Sequence, residues 1–181
     1  MLWSGDRPGR VKGEVFVPSY DRETIEQLID GKLPFRQLHK ILSSFKDPGR
    51  FDQYVSVLQN RVSYRDRILL PYGLHLNIVL NESGARVVKC DCGHEFCEYT
   101  TNWKLNALVY VRDTEEKLQE VYPRFMASDP KWMVLREFYC PTCLTQLEVE
   151  AVPPGYPFVF DFQPDIDAFY EKWLKRPVPA V

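Results

Sequence analysis

Five cysteines constrain this chain more than any other feature of its sequence. They are Cys90, Cys92, Cys97, Cys140 and Cys143, all in the second half. They form two groups, Cys90-Asp91-Cys92-Gly93-His94-Glu95-Phe96-Cys97 and Cys140-Pro141-Thr142-Cys143, with residues 98–139 between them. An odd number of thiols argues against a disulfide framework. So does the N-terminus, Met1-Leu2-Trp3-Ser4-Gly5-Asp6-Arg7-Pro8-Gly9-Arg10, which puts charge, Pro and Gly where a secretory signal carries its apolar segment. Two groups of close thiols, distant in sequence, point instead to one tetrahedral metal that the fold closes around. Zinc suits such a site because it takes four soft donors without a ligand-field preference, and each tight turn can supply one edge of the tetrahedron.

The spacing does not settle the fourth donor. Cys140-x-x-Cys143 is an ordinary half-site, Cys90-x-Cys92 is tighter than usual, and Cys92-x4-Cys97 lies at the wide end. Gly93 suits a turn that needs positive φ, and Pro141 stiffens the other. The expected ligands are Cys90, Cys92, Cys140 and Cys143, because the strand-like Arg86-Val87-Val88-Lys89 before Cys90 mirrors Glu137-Phe138-Tyr139 before Cys140. Cys97 and His94 are the alternates. Four thiolates leave no open position, so the expected zinc is structural. A redox Cys-x-x-Cys would open a helix within a βαβ unit, whereas Leu144–Ala151 reads as a strand.

Length and charge narrow the rest. A chain of 181 residues can bury about 70% of its surface, enough for one core, with an arm if part of it stays extended. No apolar run reaches the ~20 residues a bilayer requires, so the expectation is a cytoplasmic protein that contacts no membrane. The charge is balanced, 23 basic against 25 acidic residues for a net −2, and lacks the surplus that phosphate binding demands; Arg61, Arg65 and Arg67 are at most a local basic patch. No nucleic acid is expected. Fourteen prolines with 11 Phe, 10 Tyr and 4 Trp favour a protein partner instead.

Along the chain, residues 1–20 carry Pro8, Gly9, Gly13 and Pro18 and read as an extended arm. Asp21 caps a first helix bearing Ile25, Leu28 and Ile29, and Gly31 stops it. Pro34 starts a second with Phe35, Leu38, Ile41, Leu42 and Phe45, and a third runs from Phe51 to about Asn60. The period then changes: Leu74–Leu80 and Arg86–Lys89 read as a hairpin around Asn81-Glu82-Ser83-Gly84. Leu105–Val111 reads as a strand, and Asp113 caps a short helix to about Val121. Glu137–Tyr139 and Gln146–Ala151 flank the second cysteine turn, and Asp165 caps a final helix with Ile166, Phe169, Tyr170, Trp173 and Leu174. The expected fold is α+β: a helical N-terminal layer followed by a zinc-ribbon-like antiparallel β domain with short helices. Its domains are residues 1–60, arm and helices, and 61–181, the β domain with the C-terminal helix.

Familiar catalytic signatures are absent. There is no G-x-x-x-x-G-K-[ST] or G-x-G-x-x-G, no Gly-x-Ser-x-Gly elbow and no biotin-carrier lysine motif. His39 and His75 read as surface or hydrogen-bonded structural residues, and Asp165/Asp167 and Glu115/Glu116 as caps and solvated faces. The residues describe an accessory subunit.

Four stretches carry a family resemblance: Cys90–Cys97; Asn102-Trp103-Lys104-Leu105 continuing to Asp113; Arg136-Glu137-Phe138-Tyr139-Cys140-Pro141-Thr142-Cys143; and Leu147–Ala151 running into Val152-Pro153-Pro154-Gly155-Tyr156-Pro157. From about Pro71 to Leu174 the chain resembles the small γ subunits of acetone carboxylases, within the wider group that includes acetophenone carboxylase. The resemblance implies a cytoplasmic heterohexamer with two each of α, β and γ subunits that uses ATP and bicarbonate to convert acetone to acetoacetate. It implies nucleotide sites and manganese in the two large partner subunits and zinc in the γ subunit. Cys90, Cys92, Cys140 and Cys143 match the family's metal turns, and no catalytic residue carries over.

Overall fold

A computed structural model describes residues 20–44, 47 and 49–180. Residues 1–19 of the expected arm, with Phe45 and Pro48, lie outside the described residues. The chain divides into two compact units between Val57 and Leu58. Helices and antiparallel sheets are both present, so the architecture is α+β.

The described residues of the first unit are helical. α1 (Arg22–Ile29) starts where Asp21 Oδ1 accepts the Thr24 amide at 2.8 Å, and Gly31 follows its end at φ +66°. α2 (Phe35–Ser43) begins directly after Pro34, whose ring presets the first-turn φ. Its expected stripe is only partly covered: Ile41 is buried, while Phe35 is 77% exposed and Leu42 is also exposed. α3 (Arg50–Gln59) buries Val57 and leaves Phe51, Tyr54, Val55 and Leu58 half-buried.

The second unit holds two antiparallel sheets. β1 (Arg67–Gly73), β2 (Leu76–Leu80), β3 (Arg86–Cys90) and β4 (Glu95–Glu98) form a meander in that order. β5 (Leu108–Arg112), β6 (Val134–Tyr139) and β7 (Gln146–Val152) form a second sheet with β6 central. α4 (Glu115–Gln119) links β5 to β6, and α5 (Ile166–Ala168) runs on into a π turn, Phe169–Trp173.

Several boundaries differ from the sequence expectation, each for a physical reason. β1 carries no strand signal in the sequence because Pro71 interrupts it. The strand lies at the sheet edge, with register irregularities on either side of Pro71, positions where a missing N–H is tolerated. The expected strand from Leu74 starts at Leu76, since Leu74-His75 forms the hairpin turn with His75 at φ +60°. Leu105 belongs to a 3₁₀ turn, Trp103–Asn106, capped by Asn102. Thr114, not Asp113, caps α4, while Asp113 pairs with Lys117 Nζ at 2.6 Å. In the last helix Ile166 and Tyr170 are buried but Trp173 faces out.

The core is built on Ile68, Leu69, Ile78, Val79 and Val88 of the first sheet and Phe138 of the second, all essentially inaccessible. A run of edge-to-face rings joins the sheets: Phe96–Trp103 at 5.7 Å, Trp103–Phe138 at 5.9 Å and Phe138–Phe158 at 5.5 Å. Such pairs contribute ~0.5–1.5 kcal/mol each beyond burial.

The Pro-rich segment after β7 closes one turn, in which the Tyr156 amide donates to Pro153 O at 3.1 Å, and is otherwise tied down by side chains. Arg136 donates to the Tyr156 carbonyl at 2.7 Å and the Pro157 carbonyl at 3.2 Å; Asn102 donates to Phe158 O at 3.3 Å; Tyr72 donates to Phe162 O at 2.5 Å. Lys104, buried at 2% exposure, reaches Asp161 from the same segment, Glu150 at 2.5 Å and Glu148 at 2.7 Å. Burial alone would lower its pKa, yet the three carboxylates outweigh that and raise it, so Lys104 stays charged. Arg136 thus grips the Pro-Pro-Gly-Tyr-Pro motif itself, while Asn102 and Lys104 grip Phe158 and Asp161 just beyond it.

Candidate metal centre

Each cysteine pair sits on the turn of a hairpin. Between β3 and β4, the Cys90 amide donates to His94 O at 2.8 Å and the Gly93 amide donates to Cys90 O at 2.8 Å. Gly93 stands at φ +96°, a conformation a Cβ makes costly. Between β6 and β7, the Cys140 amide donates to Thr145 O at 3.0 Å and the Leu144 amide to Cys140 O at 2.9 Å. Leu144 takes the place that Gly93 holds in the first turn, the residue after the second cysteine, at φ +59°.

These turns bring four thiols together. Sγ atoms of Cys90, Cys92, Cys140 and Cys143 lie within 4.8 Å of one another, with Cys90–Cys143 at 3.8 Å and Cys92–Cys140 at 3.7 Å. A disulfide requires about 2.05 Å, so these are free thiols. A tetrahedron with metal–sulfur bonds of about 2.3 Å has edges of about 3.8 Å, which the two cross-turn distances match. Cys90 and Cys140 are buried, Cys92 and Cys143 exposed. Burial pushes the Cys90 and Cys92 thiols up, whereas the Thr145 hydroxyl, 3.2 Å from Cys143 Sγ, holds that thiol down to about 6. Thiolates this close repel one another, and a divalent cation at their centre relieves that repulsion.

The alternates are elsewhere. Cys97, on β4, hydrogen-bonds Thr101 O at 3.5 Å. His94 Nδ1 lies 2.9 Å from Thr142 Oγ1, so this histidine links the two turns, and its ring stands edge-on to Phe96 at 4.8 Å. Neither joins the thiol group.

Other polar groups escaped the sequence reading. Asp91, between the first two cysteines, lies with Oδ2 3.0 Å from His75 Nδ1 and accepts at Oδ1 from Asn77 Nδ2 at 2.8 Å. His75 is a surface, hydrogen-bonded histidine as its sequence context suggests, and the hairpin brings its carboxylate partner from sixteen residues away. Among the described residues one further acidic cluster, Glu148, Glu150 and Asp161, has metal-like spacing, but its centre is taken by the Lys104 ammonium.

Fold and thiol cluster together define an α+β chain built on a zinc-ribbon-like pair of cysteine turns. The model of the acetone carboxylase gamma subunit family matches residues 62–174. An acetone carboxylase gamma subunit of Xanthobacter autotrophicus (strain ATCC BAA-1158 / Py2) is 49% identical over 162 residues, 89% of this chain and 96% of the relative. An acetophenone carboxylase beta subunit of Aromatoleum aromaticum (strain DSM 19018 / LMG 30748 / EbN1) is 36% identical over 93 residues, 50% of this chain and 71% of that one. The chain belongs to the acetone carboxylase gamma subunit family.

Proposed function

We propose that this chain is the zinc-holding, non-catalytic assembly subunit of an ATP-dependent acetone carboxylase that converts acetone and bicarbonate to acetoacetate in the cytoplasm. Zinc is held by Cys90, Cys92, Cys140 and Cys143. ATP and manganese belong to α and β partner subunits in a heterohexamer. Residues 61–181 act as a rigid plug, and residues 1–60 extend the contact with the large chains.

The observation that carries this reading is the thiol tetrahedron joining two hairpins, on a chain whose relatives are carboxylase subunits. Four thiolates saturate zinc and leave no place for substrate or water, which favours a structural ion. Large exposed side chains between α4 and β6, Phe125 at 95%, Trp132 at 78% and Met126, are consistent with a surface covered by a partner. Among the described residues no helix is long and apolar enough to cross a membrane. A second reading, a subunit of a carboxylase for another ketone such as acetophenone, is favoured by the Aromatoleum relative.

Purification from the native host tests the proposal. The expected result is co-purification with two large chains, one zinc per copy of this chain, and ATP-dependent acetone carboxylation only by the complex. Recovery as a stable, metal-free monomer overturns it, and carboxylation of acetophenone in place of acetone selects the second reading.

A further inference from the structure

The first cysteine turn poses a geometric problem that the second does not. Two residues separated by one position in an extended strand have Cα atoms about 6.6 Å apart, too far for their thiols to share an ion unless the backbone folds sharply between them. In the second turn Pro141 limits the backbone covalently. In the first, the intervening residue is Asp91, which has no such restriction, yet it is held at three points. Its amide donates to the His75 carbonyl at 3.0 Å, its Oδ1 accepts from Asn77 Nδ2 at 2.8 Å, and its Oδ2 lies 3.0 Å from His75 Nδ1.

All three contacts come from the β1–β2 hairpin, not from the metal turn itself. Asn77 is buried and also reaches the Tyr64 hydroxyl at 3.3 Å; the Tyr64 ring in turn lies 3.8 Å from where a Cβ on Gly93 would stand. His75 sits at φ +60°, an uncommon conformation for a residue with a side chain, and it is this conformation that carries both its carbonyl and its ring to Asp91.

We propose that His75 and Asn77 hold Asp91 as a bracket that sets the bite of Cys90-x-Cys92, making these three residues positioning residues for the metal. The proposal rests on the reading that the four thiols hold zinc. The bracket replaces with hydrogen bonds the rigidity that Pro141 supplies in the other turn, so that the ordering cost of the tight turn is met during folding and not at metal binding.

The test uses the full chain, stripped of metal, with Zn²⁺ affinity measured by chelator competition, Co²⁺ absorption as a report of tetrahedral thiolate coordination, and the thermal midpoint of the metal-free form. Asp91→Ala is expected to weaken zinc about 10–100-fold. The Co²⁺ spectrum per bound ion should stay close to that of the unsubstituted chain, and the metal-free form should lose less free energy than zinc binding does. Asp91→Asn keeps the acceptor for Asn77 and can donate to His75 Nδ1 when that ring carries its proton on Nε2, and is expected to recover affinity to within about threefold of the unsubstituted chain. His75→Ala, on the surface and safe for folding, is expected to cost about three- to tenfold, the worth of one net hydrogen bond. An unsubstituted chain that binds zinc, with Asp91→Ala and His75→Ala binding equally well, overturns the bracket alone. A loss of affinity matched by an equal loss of metal-free stability also overturns it, since that is a purely structural effect. An unsubstituted chain that takes up no zinc overturns the metal reading and the bracket together.

Discussion

The turn after β3 places its thiols one residue apart and closes on Gly93 at φ +96°, whereas the turn after β6 spaces them by two residues, begins with Pro141 and closes on Leu144 at φ +59°. Their closing hydrogen bonds are nearly superposable in length, 2.8 Å for Gly93 to Cys90 and 2.9 Å for Leu144 to Cys140. The same geometry is reached by two different routes. The first turn uses a residue without Cβ and borrows support from a neighbouring hairpin through Asp91. The second carries its rigidity in its own proline and accepts a leucine where a glycine would be relaxed. Below it, Tyr139 donates to Glu137 at 2.7 Å, Gln146 donates to Tyr139 at 3.2 Å, and Arg112 donates to Glu137 at 2.7 Å, so the base of that turn is an ionic network.

The largest effect should come from breaking either turn at the metal. Cys140→Ser is expected to abolish zinc uptake and to lower the thermal midpoint to that of the metal-free chain, the largest loss of any change named here, because the whole apparent binding free energy of the structural ion is lost. Cys97→Ser, outside the cluster, should retain one zinc and lose less than ~1 kcal/mol; metal analysis and thermal melting of both variants check this.

Acid separates the turns next. Burial would raise the Glu137 pKa, but Arg112 and Tyr139 outweigh it and hold the carboxyl below its ordinary 4.5. A depressed carboxylate contributes stability that is present above its unfolded value and lost as pH falls through the folded one. Glu137→Gln should therefore be less stable than the unsubstituted chain by roughly 1.5–3 kcal/mol at pH 7, the worth of a charged hydrogen bond, with the gap closing as the pH drops below about 4.5. Denaturant melts of both proteins at several pH values measure the difference, and a gap independent of pH would show that the network is not electrostatic in origin.

Smaller and opposite effects should follow at the turn-closing residues. Gly93→Ala should cost ~1–2 kcal/mol, because positive φ penalises any Cβ. Leu144→Gly should be neutral or stabilise by up to ~1 kcal/mol, as relief of the same penalty is offset by greater freedom in the unfolded chain. Equal signs for the two changes in urea melts would contradict the idea that a leucine bears in the second turn the strain that a glycine avoids in the first. His94→Ala, which removes the link to Thr142, should cost about 1 kcal/mol and leave zinc bound, a result that separates a bridging role from ligation.

Much of this was legible along the chain because it is local. Asp21 capping α1, Pro34 before α2, the Asn81–Gly84 turn and the strands leading into each cysteine pair are decided by residues a few positions apart, and each appears where its chemistry places it. The four family motifs were equally readable. Elements whose support is distant were not: β1 is defined by pairing with β2 despite Pro71, and β4 is four residues long with a charge at either end, too short to show a period. No local pattern names the carboxylate that meets His75, since it arrives from another hairpin, and Lys104 gives no sign that it gathers Glu148, Glu150 and Asp161 from two further segments.

By itself the sequence determined which atoms could bind a soft cation and the two turns that present them, since thiol spacing, a glycine free to adopt positive φ and a ring-locked proline act within a few bonds. Only the tertiary structure decided which four of five thiols converge, that His94 bridges and does not join them, and that Asp91 is gripped from a neighbouring hairpin. Those outcomes depend on distances between segments remote in sequence, which strand register and packing set and no local pattern encodes.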